Sequence, residues 1–163
     1  MTQLRIRPAQ ASDCSTLTDI SFQAKRHWKY PDEYMELWKE ELTITAAYIA
    51  NNTVFVGELE GEPVGFYSLA EMKDDLKVGT ILIEKGVWLD HMFIYPKHIG
   101  KRIGTEFTAH MKSYLAGKKV DAVLIFVDPN AEGFYGKVGA KFRRDSDSSI
   151  PGRTIPVYEL AIT

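Results

Sequence analysis

Cysteine occurs once in the 163 residues, at Cys14, which rules out an internal disulfide and suits a reducing compartment. Neither sign of charge is in surplus. Against 20 Lys and Arg stand 22 Asp and Glu, a net of −2, so no bulk field draws the chain to nucleic acid. Long apolar runs are missing too. No stretch reaches the length of a bilayer-spanning helix, and the opening residues MTQLRIRPAQ lack the apolar core of a secretory leader. Neither nucleic acid nor membrane is therefore expected as a partner, and the cytoplasm is the default location. His98 and His110 have no cysteine or carboxylate beside them at ligand spacing, so no metal is expected. Two phosphate signatures, GxxxxGK[ST] and GxGxxG, are also absent, which argues against a P-loop or a dinucleotide fingerprint.

What remains is an ordinary globular composition, 45% hydrophobic and 26% charged, in a chain of one domain's length, with no repeat or linker to divide residues 1–163. Residues 3–7 alternate, Leu4 and Ile6 against Arg5 and Arg7, as a first strand that Pro8 ends. Ser12 or Asp13 can cap a helix whose apolar face is Leu17, Ile20, Ala24 and Trp28. Pro31 opens a second helix through Tyr34, Trp38, Leu42, Thr45 and Ile49, broken at Asn51-Asn52. Two strand-like runs, 53–59 and 64–71, flank the turn Glu60-Gly61-Glu62-Pro63. Residues 72–86 suit either a loop or the start of the following strand. Further on, 122–127 reads as a buried strand, Asn130 as the cap of a short helix closed by Gly139, and Phe142 and residues 155–162 as two last strands. The expected fold class is α/β, a single domain with a mixed sheet in the order β-α-α-β-β-β-α-β-α-β-β.

The most informative stretch is 87–117, VWLDHMFIYPKHIGKRIGTEFTAHMKSYLAG. An almost wholly apolar strand stops at Pro96, turns through Gly100 and Gly104, and gives way to a helix with Ile103, Phe107, Met111 and Tyr114 at helical spacing and Gly117 at its end. A strand that feeds such a turn presents backbone N–H groups at the positive end of a helix dipole, where a phosphate can sit. Lys101 and Arg102 would add charge beside it. The same pattern also fits an ordinary strand-to-helix connection with two solvated cations.

PKHIGKRIGT after LDHMFI resembles the pyrophosphate loop of the GNAT superfamily of N-acetyltransferases. That loop reads Arg or Gln, two residues, Gly, one residue, Gly or Ala, after a strand exit like Ile94-Tyr95-Pro96. Gly104 matches the last glycine. His98 or Ile99 stands where the Arg or Gln belongs, and Arg102 stands at the middle glycine, where a side chain restricts backbone approach. A second segment, DPNAEGFYGKVGAKF, resembles the family's Asn-x-x-Ala-x-x-x-Tyr-x-Lys-x-Gly-Phe, with Asn130, Tyr135, Lys137 and Gly139 in place. The element order is the family's as well, so the likeness spans the chain.

The resemblance implies acetyl-CoA as co-substrate and transfer of its acetyl group to a primary amine of a small molecule or peptide by direct attack. Met92, Phe93 and Ile94 would pair with the pantetheine amides as an added strand would. The loop Ile99, Gly100, Lys101, Arg102, Ile103, Gly104 and Thr105 would hold the pyrophosphate, Asn130 the pantetheine arm, and Tyr135 would protonate the leaving thiolate. Amine acylation also needs a base. Asp90 and His91 in the central strand are the candidates, on opposite faces by the pleat, with Glu84 more distant. Cys14 reads as a small packing residue. The aromatics His27, Trp28, Tyr30, Tyr34 and Trp38, interleaved with Asp32, Glu33 and Glu36, suit either an amphipathic helix pair or an acceptor wall for an ammonium group. An alternative is a non-catalytic module that binds acyl-CoA as a sensor or scaffold, and a third reading is a nucleotide-binding α/β protein. A homodimer is left open.

Overall fold

Alternation near the N-terminus does yield an edge strand. In a computed structural model that describes residues 3–163, β1 (Arg5–Pro8) pairs antiparallel with β2 (Thr53–Leu59), placing Ile6 opposite Gly57. β2 turns through Glu60-Gly61 into β3 (Glu62–Met72), again antiparallel, so the expected hairpin is present. The main sheet is mixed and has seven strands in the order β1-β2-β3-β6-β7-β9-β8. Its further members are β6 (Gly86–Ile94), β7 (Ala122–Phe126), β8 (Lys141–Asp147) and β9 (Thr154–Ala161).

The chain forms two compact units. One takes in the chain up to Leu69 and His91–Phe107, the other Ala70–Asp90 and Thr108–Thr163. In the first, α1 (Cys14–Arg26) lays Leu17 and Ile20 against Val54 and Val56 of β2, Phe66 of β3 and Ile44, all nearly inaccessible. Burying six such side chains stabilises this unit by on the order of 10 kcal/mol before conformational entropy is counted. Trp28, by contrast, lies beyond the end of α1 and is exposed. Asp13 stands at the N-cap of α1, but its side chain makes no bond into that helix. It accepts from the Gln10 N–H at 2.7 Å, ahead of the 3₁₀ turn Ala11–Asp13, and grips the Arg7 guanidinium through two bonds of 2.9 Å. The Arg7 bonds, more than the Gln10 bond, hold the Asp13 carboxyl below its usual value.

The second helix is three pieces: α2 (Asp32–Leu37), α3 (Lys39–Leu42) and α4 (Ala46–Asn51). Hydroxyls break it. Thr43 bonds back to the Lys39 carbonyl at 2.7 Å and leaves the helical region, and Thr45 caps α4 by accepting from the Tyr48 N–H at 3.0 Å. Thr18 Oγ1 of α1 accepts from the Ile44 N–H at 2.9 Å, which pins the break in place.

In the second unit, residues 72–86 contain a small hairpin, β4 (Leu76–Val78) with β5 (Ile81–Ile83), closed by Gly79-Thr80 with Gly79 at φ 61°. β6 runs parallel to β7 at Trp88↔Leu124, and β9 pairs antiparallel with both β7 and β8. Trp88 stacks on Phe126 at 4.6 Å, over Leu124 and Val157. α5 (Ile103–Gly117) ends at the expected residue, but the left-handed residue after it is Lys119, not Gly117. Among the described residues no helix is long and apolar enough to cross a membrane.

Candidate active site

The exit of β6 is built as its sequence suggests. The Tyr95 N–H bonds to the Val64 carbonyl at 2.9 Å, a single 3₁₀ turn covers Pro96–His98, and Gly100 takes φ 89°. The Tyr95 hydroxyl donates to Asp19 Oδ2 at 2.7 Å and ties the exit to α1; burial first, and then that bond, push its pKa up to about 12. Helix α5 makes its first i→i−4 bond from the Glu106 N–H to the Arg102 carbonyl at 3.0 Å. The N–H groups of Ile103 and Thr105, either side of Gly104, therefore precede the helical ladder and point out of the start of a 15-residue helix. Lys101 and Arg102 are exposed beside them. Lys101 Nζ lies 2.9 Å from His98 Nδ1, and burial, then Lys101 and Lys97, lower the His98 pKa. The ring thus accepts from the ammonium.

Arg102 has φ 63°. The residue at the middle-glycine position adopts the left-handed backbone that glycine takes freely, so the loop keeps its path despite the side chain. That conformation has a cost, and Arg102→Gly is expected to remove it. The variant should gain about 1 kcal/mol, seen as a Tm rise of about 2–4 °C by calorimetry.

The two candidate bases on β6 have opposite environments, as the pleat requires. Asp90 is exposed, whereas His91 is buried at 8% exposure. Both imidazole nitrogens are engaged: Nδ1 lies 2.7 Å from Ser68 Oγ and 3.3 Å from the Tyr48 hydroxyl, and Nε2 lies 2.9 Å from the Glu41 carbonyl oxygen. Met92, Phe93 and Ile94 follow, half-buried. Glu84 is held by Arg143 at 3.2 Å and Arg144 at 3.0 Å. Tyr48 and Ser68 have no place among the sequence candidates. Ser68 alone interrupts the apolar run of β3, which is a signal, but Tyr48 lies 43 positions from His91 and leaves none.

In the second unit, Asp128 rather than Asn130 is the cap. Asp128 Oδ1 accepts from the Asn130 N–H at 2.9 Å and from its side-chain amide at 3.1 Å, within the turn Pro129–Ala131. Asn130 is thereby oriented while remaining exposed. Helix α6 (Glu132–Lys137) follows, and Tyr135 is its one buried residue. Among the described residues no hydrogen bond reaches the Tyr135 hydroxyl and no buried side-chain oxygen lacks a partner, so this oxygen opens onto solvent while its ring is buried. Burial first, then the Asp128 carboxylate, raise the Tyr135 pKa well above that of an ordinary phenol.

The aromatics of the first unit mostly hold one another. Tyr30, Tyr34 and Trp38 pack with ring centroids 4.9–6.2 Å apart, and Lys25 Nζ stands 4.6 Å from the centroid of Trp38. Beside Cys14, a cavity of about 430 Å³ opens between Thr18 and Thr45. Among the described residues no group of three or more His, Cys, Asp or Glu could hold a metal ion.

Comparison with known proteins agrees with this architecture. The sequence model of the Acetyltransferase (GNAT) family matches residues 16–140. Among solved structures, the chain resembles a GCN5-related N-acetyltransferase from Rhodopseudomonas palustris at TM-score 0.78 and 19% identity, over 99% of this chain and 97% of that one. It resembles the PaiA N-acetyltransferase from Thermoplasma acidophilum, solved in complex with coenzyme A, at TM-score 0.73 and 17% identity, over 98% and 99%. The third is YncA from Salmonella typhimurium, solved with its cofactor acetyl-CoA, at TM-score 0.65 and 16% identity, over 99% and 95%. No curated protein sequence matches the chain.

Proposed function

Because this chain belongs to the GNAT acetyltransferase family, matched over residues 16–140, we propose that it moves an acetyl group from acetyl-CoA to a primary amine of a small molecule or peptide. One observation carries the reading: the N–H groups of Ile103 and Thr105 open a long helix directly after a left-handed turn at Arg102. A diphosphate satisfies those donors and the helix dipole together, with Lys101 and Arg102 as screening cations. The backbone of Met92, Phe93 and Ile94 holds the pantetheine arm in the manner of an added strand, and Asn130 adds a side-chain amide.

The chemistry is direct. A neutral amine attacks the thioester carbon, the acetyl group leaves sulfur for nitrogen, and the surplus proton goes to a base on β6, Asp90 or His91. Tyr135 serves the leaving sulfur. Its raised pKa keeps the phenol protonated at every working pH, so the hydroxyl is always a donor. A thiol titrates near ~8.5 and an ordinary phenol near ~10, so proton transfer to sulfur is uphill while the charge is forming. The gain comes chiefly as a hydrogen bond to the developing thiolate. The relatives solved with coenzyme A or acetyl-CoA support the choice of co-substrate.

The test is release of free CoA thiol from acetyl-CoA with a panel of amines, alongside calorimetric binding of CoA. Amine-dependent thiol release is the expected result. Tight CoA binding without thiol release for any amine would instead favour a sensor or scaffold.

A further inference from the structure

His91 cannot meet a substrate with either of its own nitrogens as they stand, and the reason fixes the tautomer of its neutral ring. The Glu41 carbonyl oxygen 2.9 Å from Nε2 can only accept, so Nε2 carries a hydrogen, and in the neutral imidazole Nδ1 is then the acceptor. Ser68 Oγ, 2.7 Å from Nδ1, must then donate to it. That uses the single hydroxyl proton of Ser68, so the contact at 2.9 Å with Tyr48 runs from the Tyr48 O–H to Ser68 Oγ. The directions follow one from another: Tyr48 O–H to Ser68, Ser68 O–H to His91 Nδ1, and Nε2–H to the backbone of α3.

The start of this chain is its most accessible member: Tyr48 on α4 is half-buried, whereas Ser68 is 0% and His91 8% exposed. Phe66 and Phe93 flank the imidazole at 5.9 Å, and the Tyr48 ring meets it edge-on at 5.4 Å. The groups facing the ring include Tyr48 from α4, Ser68 and Phe66 from β3, Phe93 from β6 and the Glu41 carbonyl from α3; Asp90 is its neighbour along β6.

We propose that Tyr48, Ser68 and His91 form a proton relay that deprotonates the acceptor amine, with the Tyr48 hydroxyl as its mouth and His91 as its store. The proposal rests on the amine acetylation put forward above and assigns roles to two residues beyond it. The balance closes without a co-reactant. The ammonium nitrogen gives its proton to the Tyr48 oxygen, Tyr48 passes its own to Ser68 Oγ, and Ser68 passes its own to His91 Nδ1. The products are a neutral amine and an imidazolium whose second N–H stays on the Glu41 carbonyl, and the reverse path returns the proton after product leaves. Tyr48 meets the amine, whereas Ser68 and His91 act behind it as positioning residues.

The contact of 3.3 Å between the Tyr48 hydroxyl and His91 Nδ1 makes the relay branched, and this sets the test. Tyr48→Phe removes the mouth and should lower kcat on the order of 10²-fold, leave the KM for acetyl-CoA unchanged and abolish the pH dependence of kcat that belongs to the relay. Ser68→Ala leaves the direct Tyr48–His91 path, so its loss should be smaller, on the order of tenfold, and the double variant should be no worse than Tyr48→Phe. Losses that multiply in the double variant, or a Tyr48→Phe enzyme with wild-type kcat and pH profile, would overturn the relay while leaving acetyl transfer intact. Nitrogen chemical shifts of the His91 ring decide independently of turnover. A bare Nδ1 and a protonated Nε2 at neutral pH support the relay, and a hydrogen on Nδ1 sinks it even in a protein that acetylates no amine.

Discussion

Tyr135→Phe is expected to lower kcat by on the order of 10²-fold while CoA binds with roughly its original affinity. The hydroxyl has no protein partner among the described residues, so its removal breaks no internal bond, and the ring keeps its packing on α6. A variant that folds as before but cannot stabilise the thiolate should lose kcat and kcat/KM together. Steady-state kinetics with the best amine, paired with calorimetry of CoA binding, check this directly. Unchanged kcat would reduce Tyr135 to a packing residue. The loss should shrink when the leaving thiol is made more acidic, because a better leaving group needs less help.

Gly65→Ala is expected to be the most damaging small change in the first unit. A Cβ there would lie 2.8 Å from the Phe93 carbonyl oxygen, 3.1 Å from Ile94 Cγ1 and 3.2 Å from the Phe107 ring. The nearest obstacle is backbone, which cannot swing aside as a side chain can. Overpacking of this kind costs about 2 kcal/mol, a Tm loss on the order of 5 °C. It should also reach function. The strain falls on Phe93 and Ile94, whose backbone is proposed to hold the pantetheine arm, so the Kd for acetyl-CoA should rise roughly tenfold, about 1.4 kcal/mol. A crowded but well-folded variant that binds acetyl-CoA normally would remove these residues from the cofactor path.

Local chemistry made much of the fold readable in advance. Strand β6, the turn at Gly100 and helix α5 follow from an apolar run stopped by proline and succeeded by helical spacing. The β2–β3 hairpin follows from its Glu-Gly turn. What failed was local chemistry overruled by a hydroxyl: Thr45 sits on the helical stripe, yet Thr43 beside it bonds back to the Lys39 carbonyl where α3 ends, and Thr45 caps the start of α4. Asn130 lost the capping role to Asp128 in the same way, by competition between two side chains two residues apart. Residues 72–86 carry a hairpin of only three residues a strand, too short for alternation to declare.

The site divided along similar lines. The helix start at Ile103 and the buried Tyr135 were visible because each lies inside one short segment. Arg102 looked like an obstacle on identity alone, since sequence does not display that its φ is 63°. The surroundings of His91 were invisible, because Glu41, Tyr48 and Ser68 reach it from 23 to 50 positions away. Adjacent Asp90 and His91 could be assigned to opposite faces by the pleat, but which one faced inward could not be read off the strand.

Titrating the amide-labelled protein with CoA tests the central claim most directly. The account predicts that the N–H resonances of Ile103, Gly104 and Thr105 shift first and furthest, saturating with the calorimetric Kd, as a diphosphate takes up the donors at the start of α5. Resonances at those three positions that stay still while CoA binds elsewhere, or that move equally with ATP or NAD, would contradict it.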